Sequence, residues 1–193
     1  MADEPTYYVL RVEDPEVGYR ARLVYERDTP LRSWMSGAHF EQAPPEPIVI
    51  KLRGTDEEDW VLGDLWLTPI TVMSTRVFDA LRGAGVDNLD TYAVELHDPQ
   101  NGAVHKDFVA FNIVGKIAAA DLAGTQFAPS ASERMISADI DSLAIDPKKT
   151  RGALMFRLAE SVNAIIVHDS VRKAVLAAGI DTLTFLEPQE WAG

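Results

Sequence analysis

At 193 residues, 47% hydrophobic and 25% charged, the chain is long enough for one substantial core, and its composition excludes a disordered polymer. It has no cysteine, which excludes a disulfide framework, a thiolate metal site and a cysteine nucleophile. Lys plus Arg number 18 against 30 for Asp plus Glu, a net charge of −12 that repels nucleic acid and anionic lipid and speeds encounter with basic partners, although solubility alone also accounts for it.

The start, Met1-Ala2-Asp3-Glu4-Pro5, lacks the basic and apolar regions of a secretory signal. No apolar run is longer than Ala174 to Ala178, far short of the roughly 20 residues that cross a bilayer. A soluble cytoplasmic protein is expected, with neither nucleic acid nor membrane as its partner.

Tyr7-Tyr8-Val9-Leu10-Arg11-Val12 predicts a strand, and Ala21-Arg22-Leu23-Val24-Tyr25 a second that pairs with it across the Asp14-Pro15 turn. Glu41-Gln42-Ala43-Pro44-Pro45-Glu46-Pro47 predicts a linker, because three prolines remove donors and force extended backbone. Within a single domain over 1–193 it would join lobes 1–43 and 48–193. Ile48 to Leu52 follows as a strand, then Thr55-Asp56-Glu57-Glu58-Asp59-Trp60 as an exposed acidic turn that could also start a helix, and Tyr92 to Leu96 as another strand.

In the second half, Asn101-Gly102 within His97 to Gly102 is a strong hairpin signal. Lys106 to Val114 predicts a strand, Gly124 to Ser137 a long loop, and Leu143 to Ile145, Ala153 to Leu158 and Thr184 to Leu186 further strands. Strands predominate and helices are few and short. The expected class is α+β, a mixed and largely antiparallel sheet carrying helices.

One short design occurs twice, 94 positions apart, in residues 71–89 and 165–183. Val77, Ala80, Ala84, Gly85, Asp87 and Leu89 recur as Val171, Ala174, Ala178, Gly179, Asp181 and Leu183. Each copy reads as strand, cap, helix, glycine, strand. Val77, Phe78, Leu81 and Ala84 make one helix face; Val171, Ala174, Val175 and Ala178 make the other. Gly85 and Gly179 stand where a left-handed C′ residue closes a helix, bringing Val86 onto Leu81 and Ile180 onto Val175. Recurrence of a common α/β element and true duplication both explain the pattern.

The search for chemistry returns little. His39, His97, His105 and His168 lack the spacing of a metal site on one helix face. His168-Asp169-Ser170 holds the residue types of a catalytic triad, but neighbours on a strand end diverge, so Asp169 or Ser170 is expected to cap the next helix. Asp139, Asp141 and Asp146 lack the glycine and terminal glutamate of a calcium loop. Gly83-Ala84-Gly85 follows its helix, the wrong end for an anion. No catalytic residue, metal ligand or cofactor is assigned. Trp66 is expected in the core, while Trp34 and Trp60 are candidate interface anchors.

The order of these pieces resembles a bacterial family, the immunity-protein-eleven type of polymorphic toxin systems. The resemblance rests on Phe108 to Val114 with Asp121, Met155 to Leu158, Ile165 to Val167, then Val171, Ala174, Ala178-Gly179-Ile180, Leu183, Phe185 and Pro188, with the first copy and Tyr7 to Leu10 also fitting. It covers nearly the whole chain and is of moderate specificity. The family pattern has serine before the second helix, where this chain has His168-Asp169-Ser170. The resemblance implies a cytoplasmic antidote that binds a cognate toxin protein, without catalytic residues, and a monomer forming a one-to-one complex is expected.

If that toxin acts on nucleic acid, its active surface is basic and an acidic partner is steered to it. Asp56, Glu57, Glu58, Asp59, Trp60 and Trp34 are the candidate toxin-binding residues, as the densest acidic run and the adjoining aromatics. Two other classes stay open: an enzyme using Asp139, Asp141 and His168, and a protein-binding regulatory module without a toxin.

Overall fold

The computed structural model describes residues 6–14, 19–25, 34–54, 60–127 and 140–193. The strands are β1 (Tyr7–Val12), β2 (Tyr19–Arg20), β3 (Arg22–Val24), β4 (Ile48–Arg53), β5 (Trp60–Val61), β6 (Leu65–Trp66) and β7 (Val72–Ser74). Helix α1 (Thr75–Gly83) leads to β8 (Leu89–His97), β9 (Val104–Ile113), β10 (Lys116–Ile117), β11 (Gln126–Phe127), β12 (Ile140–Ser142), β13 (Met155–Leu158) and β14 (Ile165–His168). Helix α2 (Asp169–Ala177), β15 (Leu183–Leu186) and a 3-10 turn at Pro188–Glu190 finish the chain.

Two sheets dominate, a six-stranded one in the order β3-β4-β8-β9-β7-β6 and a five-stranded one in the order β10-β13-β14-β1-β15. Most neighbours are antiparallel, with parallel pairs at β4–β8 and β10–β13. The fold is therefore α+β.

The two repeat copies occupy equivalent places, one in each sheet. In each, a strand enters a helix and the strand leaving it returns parallel to the first, with an antiparallel strand between them: β9 separates β7 from β8, and β1 separates β14 from β15. Register agrees as well. Met73 lies opposite Leu65 and Val109, as Val167 lies opposite Met155 and Tyr8. Leu89 pairs with Ile113 as Leu183 pairs with Val12. The middle strand follows the unit in the first copy and is supplied by the N-terminal segment in the second.

Each helix ends as its glycine dictates. Gly85 and Gly179 adopt φ of 94° and 68°, a region that costs a residue with a β-carbon about 1–2 kcal/mol. In the first copy Val86 N donates to Leu81 O and Gly85 N to Arg82 O; in the second Ile180 N donates to Val175 O and Gly179 N to Leu176 O. These are the paired bonds of a Schellman closure, and all four apolar partners are buried.

The N-termini differ. Ser74 accepts from Val77 N, whereas α2 is capped by His168, whose Nδ1 accepts from Ser170 N. His168, standing at the position of Ser74, thus takes the role expected of Asp169 or Ser170. Asp169 instead pairs with Arg172 and Lys173 one turn on.

The central core lies between the sheets, where Val77 and Leu81 of α1 and Val171 and Val175 of α2 meet Tyr8, Leu10, Met73, Phe111 and Met155 from the strands. A second core, with Trp34, Ile50, Trp66 and Leu96, covers the other face of the six-stranded sheet. A third, with Val9, Leu143, Phe156 and Ile166, covers the other face of the five-stranded one. Val72–Ser74 and Met155–Leu158 are covered on both faces, which is why they are buried throughout and do not alternate; their two polar members, Ser74 and Arg157, hydrogen-bond to Asp64 and to Val162 O.

Three local expectations are corrected. Arg22–Val24 pairs with Ile48–Arg53 and not with Tyr7–Val12, which is inserted between β14 and β15, so β3 and β4 are joined by hydrogen bonds across the proline-rich segment. Leu143 to Ile145 contributes only the bridge Ala120–Ile145. The expected loop Gly124 to Ser137 contains a short strand, β11, which pairs with β12 beyond the loop.

Candidate functional site

The best-connected polar cluster is built on Asp64, in the turn before β6. Its Oδ1 accepts from Ser74 Oγ and Arg76 Nε, both at 2.7 Å, and its Oδ2 from Arg76 Nη2 and from Thr182 Oγ1 at 2.8 Å. Burial pushes this carboxyl upward, but the hydrogen bonds from Arg76, Ser74 and Thr182 outweigh it and hold the group below its ordinary range. A carboxylate this fully engaged holds two parts of the fold together and has no lone pair to spare for a substrate.

Several of the other candidates for chemistry are also engaged locally. His168 caps α2 and packs edge-on against Tyr7, His39 contacts Asp90 at 2.8 Å, and His97 contacts Glu95 at 3.1 Å. Asp141 is exposed on β12, and the Asp146 side chain accepts from Lys148 N. Among the described residues no three His, Asp or Glu side chains converge as a metal site, and no helix is long and apolar enough to cross a membrane. Asp139 lies outside the described residues.

Trp60 is at a different kind of place. It lines a cleft of about 370 Å³ where the short β2–β5 ribbon meets the β3 edge of the six-stranded sheet. The indole is half-buried and fixed: Nε1 donates to Gln100 Oε1 at 3.0 Å, and a β-carbon on Gly54 would collide with the ring. Tyr19, 51% exposed, and Trp66 complete the aromatic lining.

Three arginines share this cleft: Arg20, Arg22 and Arg53. Arg20 is engaged, contacting Asp14 at 3.6 Å and donating to Leu65 O. Arg22 and Arg53 are exposed and directly opposite each other on β3 and β4. Among the described residues neither has a carboxylate partner. In this cleft the chain of net charge −12 therefore presents a basic island.

The acidic run Asp56, Glu57, Glu58 and Asp59, which precedes Trp60, lies outside the described residues. Trp34 is corrected to a core residue: it has no exposed surface and packs edge-on against Phe40 and Tyr92, with ring centroids 4.8 and 5.8 Å away. Trp66 is buried, and its Nε1 donates to Ala21 O. The arginines were missed in the sequence because nothing local joins position 22 to position 53. The available signal was the alternation of Ile48–Arg53, which turns Val49, Lys51 and Arg53 away from the core.

A comparison with curated proteins found no match. A family model does match, described as the immunity protein family (Imm11), over residues 7–190, a span that includes both sheets, both helices and the Trp60 cleft. The chain therefore belongs to the immunity protein family (Imm11).

Proposed function

We propose that this protein is the cytoplasmic antidote to a cognate bacterial toxin, which it neutralises by binding one-to-one and occluding the toxin's active surface. The family match over 7–190 carries this reading. The scaffold is consistent with it: a stiff two-sheet body whose shape is maintained by three cores suits tight association, which is strongest when little order has to be acquired on binding.

The charge balance supports a basic toxin surface. A partner at −12 is steered to it at long range and competes there with phosphate, so association should slow clearly as salt rises. Asp56, Glu57, Glu58 and Asp59, with Trp60 beside them, are the proposed contributors.

The upstream reading frame is expected to end in a toxin domain, and the test is co-expression with that domain. Growth should be restored by this chain and not by an unrelated acidic protein, and the purified pair should elute as a one-to-one complex. Continued killing despite soluble, folded protein would refute the reading. Replacing the four acids by Asn and Gln should slow association about tenfold at low salt; an unchanged rate would remove that run from the interface.

A further inference from the structure

We propose that the cleft between Arg22, Arg53 and Trp60 receives a carboxylate side chain, Asp or Glu, from the protein partner. The choice of a protein as the donor rests on the antidote reading; the carboxylate specificity rests on the cleft itself.

Like charges directly opposed on neighbouring strands are unfavourable, and sheets normally avoid them or set an acid beside them. Elsewhere in the six-stranded sheet a cation does have an acid beside it: Lys106 contacts Glu95 at 2.9 Å. At Arg22 and Arg53 no described residue plays that part. Among the described residues no acid offsets this opposed arginine pair, and a bound anion would do so.

The shape of the cleft suits such an anion. A guanidinium presents a planar fork of donors that matches a carboxylate through two parallel hydrogen bonds. The wall beside the pair is formed in the free protein, where Trp60 Nε1 donates to Gln100 Oε1 and the ring packs against Gly54. Arg20 already keeps one carboxylate, that of Asp14, within the same cleft.

Charge also selects the ligand. Asp14 in the wall and the net −12 of the chain oppose a multiply charged phosphate or a phosphodiester chain, whereas a single carboxylate meets two guanidinium groups and less opposing field. The acidic body of the protein would thus be steered to a basic toxin surface, while the basic island sets orientation by accepting one acid from the rim of that surface.

The test uses the full chain labelled with nitrogen-15, titrated at constant ionic strength with acetyl-Gly-Glu-Gly amide, which carries one carboxylate, its acetyl-Gly-Gln-Gly counterpart and inorganic phosphate. The glutamate peptide should move the Trp60 indole and the Arg22 and Arg53 Nε signals. The glutamine peptide should leave them in place, and phosphate should bind at least fivefold more weakly. R22Q/R53Q should weaken the peptide at least tenfold, and R53K, which keeps the charge and loses the fork, should weaken it severalfold. Both variants should melt no lower than the parent chain, because they relieve a repulsion or leave it unchanged.

Equal shifts with the glutamine peptide, phosphate binding as tight as the glutamate peptide, or full binding by R22Q/R53Q would each overturn the proposal. With the toxin in hand, R22E/R53E should weaken the complex at least a hundredfold. Unchanged affinity in a pair where the parent chain protects cells would sink the cleft and leave the antidote reading standing. Peptide binding by a chain that fails to protect would do the reverse.

Discussion

Thr182 donates its hydroxyl to Asp64 at 2.8 Å across 118 positions of sequence, joining the connector after α2 to the turn before β6. The opposite connector reciprocates: Asn88, which occupies in the first copy the place of Thr182 in the second, donates from Nδ2 to Met155 O at 2.9 Å. Asp64 N-terminal to β6 and Leu154 N-terminal to β13 are themselves equivalent, since their carbonyls accept from Ser74 N and His168 N, each at 2.8 Å. Each copy is thus tied to the flank of the other, and the two sheets behave as one body around the shared helices.

Removing the charge from the Asp64 clasp should loosen that body. Asp64→Asn turns an amide toward the Thr182 and Arg76 donors, and it should cost about 2–3 kcal/mol in urea unfolding at neutral pH. Because the native carboxyl lies below its ordinary value, its stabilising contribution is complete above about pH 4 and is lost as pH falls through the native value. Acid titration of stability should therefore be steeper below pH 4 in the parent chain than in Asp64→Asn. Parallel curves would show that the clasp carries no charge-dependent stability.

The closing glycines should respond unequally to alanine. A β-carbon on Gly179 meets nothing within 4 Å, so Gly179→Ala should cost only the backbone term, about 1–2 kcal/mol. Gly85 has the larger φ, and a β-carbon there would stand 3.3 Å from Leu154 Cδ1. Gly85→Ala should therefore be the more damaging, as measured by denaturant midpoints at unchanged slope.

Arg157 offers a case in which losing a charge should help. It is buried on β13; Nη1 donates to Val162 O at 2.8 Å, but Nε has no partner among the described residues. Burial brings its guanidinium down to about 10. A base whose native value is lowered binds its proton less well when folded, so the penalty is present at every pH below about 10 and is relieved only above it. Arg157→Met removes that penalty and the Val162 bond together, and it should raise stability by about 1–2 kcal/mol, equally at pH 6 and pH 8. A loss of stability would show that the Val162 bond dominates.

Trp34 and Trp60, alike in the sequence, should separate on alanine replacement. Trp34→Ala opens a cavity in the core and should cost about 3–5 kcal/mol. Trp60→Ala removes a half-exposed ring and one exposed hydrogen bond, so it should cost no more than about 1–2 kcal/mol. Melting temperatures of the two variants decide the matter. Similar losses would contradict the assigned burial.

What was legible in the sequence is what depends on near neighbours. The run Thr71 to Leu89 and its echo at 165–183 specify strand, helix and glycine through spacing and through the one residue type that accepts positive φ without strain. Asn101-Gly102 marked the β8–β9 hairpin for the same reason, with Gly102 at φ of 74°. His168 was misread because imidazole capping depends on a side-chain orientation that residue type alone does not imply.

The sequence by itself determined the local elements, the acidity of the chain and, through the order of its apolar and glycine positions, its family. Only the tertiary structure decided which strands are neighbours: that Tyr7–Val12 completes the second copy, that Trp34 is sealed inside, and that Arg22 meets Arg53. The physical reason is range. Backbone conformation and helix closure are settled by residues a few positions apart. Strand partners, burial and the pairing of charges are settled by contacts between segments far apart in the chain, which compete for the same limited apolar interior.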